Sequence, residues 1–148
     1  MKPVHTWIVV ADGSRARFLL HKGIGKGLSP AIDHDMANEL LPSREIASDD
    51  AGRNADPGGG SSRVEPTVDH HEFEKERFSN QVARVLNKAR AENRFDRLVL
   101  VAPPKTLGYL REELDKHTHD YVYGELHKDL TNIRTDELQQ HLGEVMAV

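Results

Sequence analysis

Apolar residues along this chain fall into two patterns, short unbroken runs and stripes at three- and four-residue intervals, and in the second half of the sequence the two alternate. Trp7-Ile8-Val9-Val10-Ala11 and Leu98-Val99-Leu100-Val101-Ala102 are continuous runs, which suit strands covered on both faces. The second is expected to be the central strand. Asp12-Gly13-Ser14 supplies turn residues before Ala16-Arg17-Phe18-Leu19-Leu20 resumes an extended pattern, so the chain opens with a hairpin. Beyond Gly23, Gly25 and Gly27, the residues Leu28, Ile32 and Met36 predict a third strand at a sheet edge.

Phe78, Val82, Val85, Leu86 and Ala89 recur at helical spacing and predict a long helix from Asp69 to Asn93. After the run at 98–102, Pro103-Pro104 stops the ladder, because proline cannot donate to it, and opens a helix with the stripe Leu107, Leu110 and Leu114. Tyr121 to His127 alternates as a strand. Thr135 is placed to cap a last helix whose first turn carries Asp136 and Glu137 and whose stripe is Leu138, Leu142, Val145 and Met146. The predicted order is β-β-β-α-β-α-β-α, an α/β domain spanning residues 1–148 around a mixed five-stranded sheet. Its hairpin is antiparallel and its later strands are parallel through right-handed crossovers.

Between Leu41 and Val68 the apolar period disappears. Pro42, Pro57, Pro66, Gly52, Gly58-Gly59-Gly60 and scattered charges replace it, and too few apolar groups remain to offset chain entropy. A long flexible loop over 41–68 is expected. Its cations are Arg44, Arg53 and Arg63, diluted by Glu45, Asp49, Asp50, Asp56 and Glu65.

Composition narrows the function. At 148 residues with 37% hydrophobic and 30% charged residues, the chain matches a single polar globular domain. A net charge of −4 argues against non-specific affinity for nucleic acid, though a local basic patch is compatible with it. With no cysteine there is no disulfide framework, zinc ribbon or thiol nucleophile. The apolar run at Trp7–Ala11 is too short for a signal-peptide core or a membrane span, so a cytoplasmic location without membrane contact is expected.

No catalytic constellation is complete on these elements. The order of elements is shared with the ribonuclease H-like architecture, whose two-metal chemistry needs several convergent carboxylates holding ions about 4 Å apart. Asp12 could supply one, but Ala102-Pro103-Pro104 stands where a second is needed. His70-His71 and His117-Thr118-His119 lack the two-turn spacing of a zinc helix. Ser14 and Ser29 sit outside any nucleophile elbow, and Gly23-Ile24-Gly25-Lys26-Gly27 lacks the following helix of a dinucleotide fingerprint. The expectation is therefore a non-enzyme with no cofactor and no metal. What survives is a surface at the carboxyl edge of the sheet, to which strand ends deliver Asp12, Ser14 and Arg15, then Lys105 and Thr106, then Asp129 and Thr131.

Three stretches carry a family resemblance: Trp7 to Arg17, Leu98 to Pro104 with Leu107-Gly108 and Leu110-Arg111, and Lys128-Asp129-Leu130-Thr131. In that order and spacing the chain resembles the bacterial host-attachment proteins, described as required for attachment to host cells. The family is similar to the middle domain of archaeal and eukaryotic peptide-chain release factors, which implies an ancestral tie to ribosomal RNA. That domain acts through a Gly-Gly-Gln loop. Here Gly58-Gly59-Gly60 is followed by no glutamine, so peptidyl-tRNA hydrolysis does not carry over. The resemblance implies a cytoplasmic binding protein that affects attachment indirectly. The alternative is a translation-associated factor binding the ribosome or structured RNA through the long loop and the sheet edge, with Arg15, Arg44, Arg53, Arg63 and Lys105 as phosphate contacts, and failing that a protein or small anion at the Asp12–Lys105 edge is the expected partner.

Overall fold

The first apolar run forms β1 (Thr6–Ala11), in which every residue is buried. It pairs antiparallel with β2 (Arg15–His21), Val9 opposite Phe18, and parallel with β5 (Arg97–Val101), Val9 opposite Leu100. The computed structural model describes residues 3–38 and 64–148; the loop expected over 41–68 lies outside them up to residue 63, as do Arg44, Arg53 and Arg63.

Two short strands take the place of the expected third one. β3 (Leu28–Pro30) and β4 (Met36–Ala37) both pair antiparallel with β2, at its end and its start respectively. The sheet thus has six strands where five were expected, in the order β3-β2-β1-β5-β6, the last being Val122–Leu126, with β4 beside β3 on β2. Proline at position 30 cannot donate to a continuing ladder, and the bends from Ala31 to His34 separate the two pieces. β1, and not β5, occupies the middle of the sheet. Both strands are buried on two faces, so their apolar runs read alike and only pairing distinguishes them.

α1 (Val64–Ala91) begins five residues before the expected Asp69 and runs to a left-handed Asn93 with φ 58°. Its residues Phe78, Val82, Ala83, Leu86 and Ala89 pack with Leu107 and Leu110 of α2 (Pro104–Glu113) on one face of the sheet, over Trp7, Val9, Phe18, Leu98 and Leu100. A one-turn helix, α3 (Lys116–His119), capped by Asp115 accepting from the Thr118 amide at 2.7 Å, precedes β6 (Val122–Leu126).

The opposite face, Ile8, Val10, Val99 and Val101, is covered by Leu138 and Leu142 of α4 (Thr135–Leu142), with Leu130 and Met146. Eight residues are too few for a stable helix alone. α4 stands because its two leucines are completely buried, each contributing on the order of 2 kcal/mol of transfer free energy. Alternate residues of β1 and β5 thus feed alternate layers, which is why both runs lack polar positions.

Candidate functional site

Parallel β1, β5 and β6 end at one edge, and the turn after β1 is its most connected point. Asp12 Oδ1 accepts from the amides of Ser14 and Arg15, each at 2.8 Å, a side-chain-closed turn of the kind aspartate favours. Asp12 Oδ2 faces the β6–α4 loop, where the buried Thr131 hydroxyl stands 2.9 Å away. The same hydroxyl is 3.0 Å from Asp129 Oδ1. Arg15 crosses alongside, donating to Asn132 Oδ1 at 2.9 Å. Asp12, Ser14, Arg15, Asp129 and Thr131 are therefore brought together as the sequence suggested.

The β6–α4 loop is held from three directions. Arg17 projects from β2 and donates to the Ile133 carbonyl at 2.7 Å and to Thr135 Oγ1 at 3.1 Å. Leu130 is buried, and Lys128 pairs with Glu144 beyond α4. Thr135 does not cap α4, as had been expected: it is the first helical residue, Arg134 takes the cap position, and the threonine hydroxyl accepts from Arg17 instead. The Lys128-Asp129-Leu130-Thr131 stretch is thus a fastening of this loop across the sheet edge.

On the other side of the turn lies α1. Lys75 packs over Gly13 so closely that an added Cβ would come 2.6 Å from its Cγ. One turn earlier on the helix, Glu72 gathers Lys105 at 3.0 Å and the Tyr109 hydroxyl at 2.7 Å, both from α2. The Tyr109 hydrogen bond is the main reason the Glu72 carboxyl is held below the usual range, with Lys105 adding to it. The same bond pushes the Tyr109 phenol up to about 12. Lys105 thus joins a cluster on α1 and α2, while Thr106, also expected on the surface, is buried.

Sequence reading missed Arg17, Asn132, Glu72 and Tyr109 as members of this network. Arg17 carried a signal: it stands among Ala16, Phe18, Leu19 and Leu20, where a cation needs partners on a neighbouring element. Glu72 and Tyr109 carried none, since 37 positions separate them.

Among the described residues, no group of three or more His, Asp or Glu side chains is placed to share a metal ion, and no described helix is long and apolar enough to cross a membrane. The edge presents exposed Ser14, Arg15, Asn132 and Lys105 over a hydrogen-bonded base.

A mixed sheet between two helical layers, with a fastened polar junction at the ends of its parallel strands, defines an α/β protein whose carboxyl edge is a fixed surface. The profile of the family described as "protein required for attachment to host cells" matches residues 7–142, and the chain belongs to that family. No curated protein matches it.

Proposed function

We propose that this protein is a non-enzymatic, cytoplasmic binding protein that influences attachment to host cells indirectly, by presenting the surface around Ser14, Arg15 and Lys105 to a partner. The observation supporting this reading is the commitment of Asp12. One of its oxygens accepts from two backbone amides and the other shares the Thr131 hydroxyl with Asp129, which supports a carboxylate that serves the turn over one held in readiness for a metal or a proton transfer. The purified chain, assayed with and without Mg²⁺ or Mn²⁺ on RNA, phosphoesters and peptidyl-tRNA, is expected to be inert. Turnover that disappears in folded Asp12→Asn would overturn the reading.

A second reading, ribosome or structured-RNA binding on a release-factor-like, ribonuclease H-like scaffold, is favoured by one feature. The exposed Arg15 guanidinium bonds to a neutral amide, leaving its charge free for a phosphate. The loop cations Arg44, Arg53 and Arg63 rest on sequence alone. On this reading the protein co-sediments with ribosomes, and Arg15→Gln with Lys105→Gln lowers the salt slope by roughly one for each contact removed. A protein that stays in the supernatant at low salt removes the RNA reading and leaves a protein or small-anion partner.

A further inference from the structure

The amino ends of the parallel strands, opposite the edge described above, frame an open cavity of about 610 Å³. It is lined by Val4 before β1, His21 and Lys22 at the end of β2, Ile24 and Lys26 of the glycine turn, Arg97 at the start of β5 and Tyr123 of β6. That volume falls in the range of small-molecule sites. We propose that this cavity binds a small organic anion with a planar apolar body, of the aryl carboxylate class.

The lining shows the charge complementarity such a ligand needs. Lys22, Lys26 and Arg97 are its cations, no aspartate or glutamate lines it, and none of the three makes an ion pair with a carboxylate among the described residues. Arg97 is instead fixed by its Nε donating to Thr6 Oγ1 at 2.8 Å, and its guanidinium lies 4.1 Å over the Tyr123 ring. This stacking keeps the charge at the wall without neutralising it.

The apolar half is equally specific. The β5–β6 register slips between Leu98 and Val99, whose partners are Val122 and Gly124, leaving Tyr123 unmatched. Irregularities of this kind re-aim a side chain, and the ring that results is half exposed against the cavity. Ile24 is 74% exposed at the tip of a turn in which Gly23, Gly25 and Gly27 all have positive φ. The turn is anchored by the Gly25 amide donating to the Val148 main-chain oxygen at 2.9 Å, so a large aliphatic side chain is held in water beside the opening. Val4 is a further half-exposed apolar group on the rim.

A third, independent feature is His21, which lines the cavity, is 2% exposed and has an Nε2 with no hydrogen-bond partner among the described residues. Buried polar atoms are nearly always paired. Because this nitrogen is shielded from the cavity, a ligand oxygen reaches it only if the imidazole turns, while the cations supply the preference for a charged ligand.

Naphthoate, its neutral analogue naphthylmethanol and inorganic phosphate are suitable probes, titrated into the full chain while backbone amide chemical shifts are followed. Naphthoate is expected to shift amides around Val4, His21 to Lys26, Arg97 and Tyr123. It should bind about tenfold more tightly than naphthylmethanol, with phosphate alone weaker still. Lys22→Gln with Lys26→Gln, both exposed and remote from the core, should weaken naphthoate about fivefold without changing the thermal midpoint. Tyr123→Ala should weaken both aromatic probes. Shifts scattered over the surface, equal affinity for naphthoate and naphthylmethanol, or a double variant that binds as well as the parent would each overturn the proposal. Because none of these residues belongs to the carboxyl edge, the result is independent of the function proposed there.

Discussion

The Thr131 hydroxyl and the Asp12 carboxylate, 119 positions apart in sequence, meet at 2.9 Å and tie the β6–α4 loop to the first turn of the chain. A hydroxyl has one proton, and Asp129 stands at nearly the same distance on its other side, so Thr131 donates to one carboxylate at a time. Since Thr131 is buried, Thr131→Val leaves acceptors without a donor and is expected to cost about 1–3 kcal/mol in urea unfolding. Thr131→Ser should cost less. In a double-mutant cycle with Asp12→Ala, a coupling of about 0.5 kcal/mol or more is expected, and strict additivity would show the contact to be incidental.

Arg17 is the other fastening of the same loop. Its guanidinium serves the Ile133 carbonyl and the Thr135 hydroxyl from a partly buried position. Arg17→Met keeps much of the stem's packing and removes these bonds, so a loss of about 1–3 kcal/mol is expected. Amide exchange should accelerate in residues 129–135 more than in β1 or β5. Uniform acceleration would mean that Arg17 acts on global stability alone.

The Glu72–Tyr109 pair gives a pH signature. Tyr109 is raised from 10.0 to about 12, so its contribution is complete below about pH 10 and is lost as pH rises through about 12. Glu72 is lowered from 4.5, so its contribution is present above that value and lost as pH falls through its depressed range. In a near-ultraviolet titration, one tyrosine should ionise late. That late phase should move towards 10 in Glu72→Gln and vanish in Tyr109→Phe; an unchanged phase in Glu72→Gln would show the hydrogen bond absent in solution.

Gly124 sets the fit of the segment after α4. A Cβ placed there would stand 3.2 Å from Val145 Cβ, tighter than ordinary packing. Gly124→Ala is expected to destabilise by about 1–3 kcal/mol, and Val145→Ala in the same chain should recover part of that loss. Thermal unfolding of the single and double variants checks this.

The hairpin, the long helix, the strand–Pro-Pro–helix unit and the last strand–helix pair were legible because each carries its own period. Trp7–Ala11 and Leu98–Ala102 announce two-faced burial by lacking polar positions, and Phe78 to Ala89 announces one helical stripe. Register, strand count and the middle of the sheet were less legible. Leu28 to Met36 holds too few apolar residues to show that Pro30 ends one strand and Met36 begins another. At the carboxyl edge, Asp12 and Arg15 were visible as turn chemistry, whereas Glu72 and Tyr109 were hidden by their separation in sequence.

The sequence by itself therefore determined the main strands and helices, their order and the apolar stripes that are buried, because periodicity and turn chemistry are local, while the split of the third strand, the one-turn α3 and the burial of Thr106 were not readable from it. Only the tertiary structure decided what the polar side chains do. It turned Thr135 from an expected cap into the acceptor for Arg17, and it sent Lys105 to Glu72 on another helix. It also assembled Lys22, Arg97 and Tyr123 around a cavity from three separate strand ends. The physical reason is that a charged or hydroxyl group takes its role from the nearest partner of matching donor or acceptor character, and which partner is nearest is set by packing of residues tens of positions away.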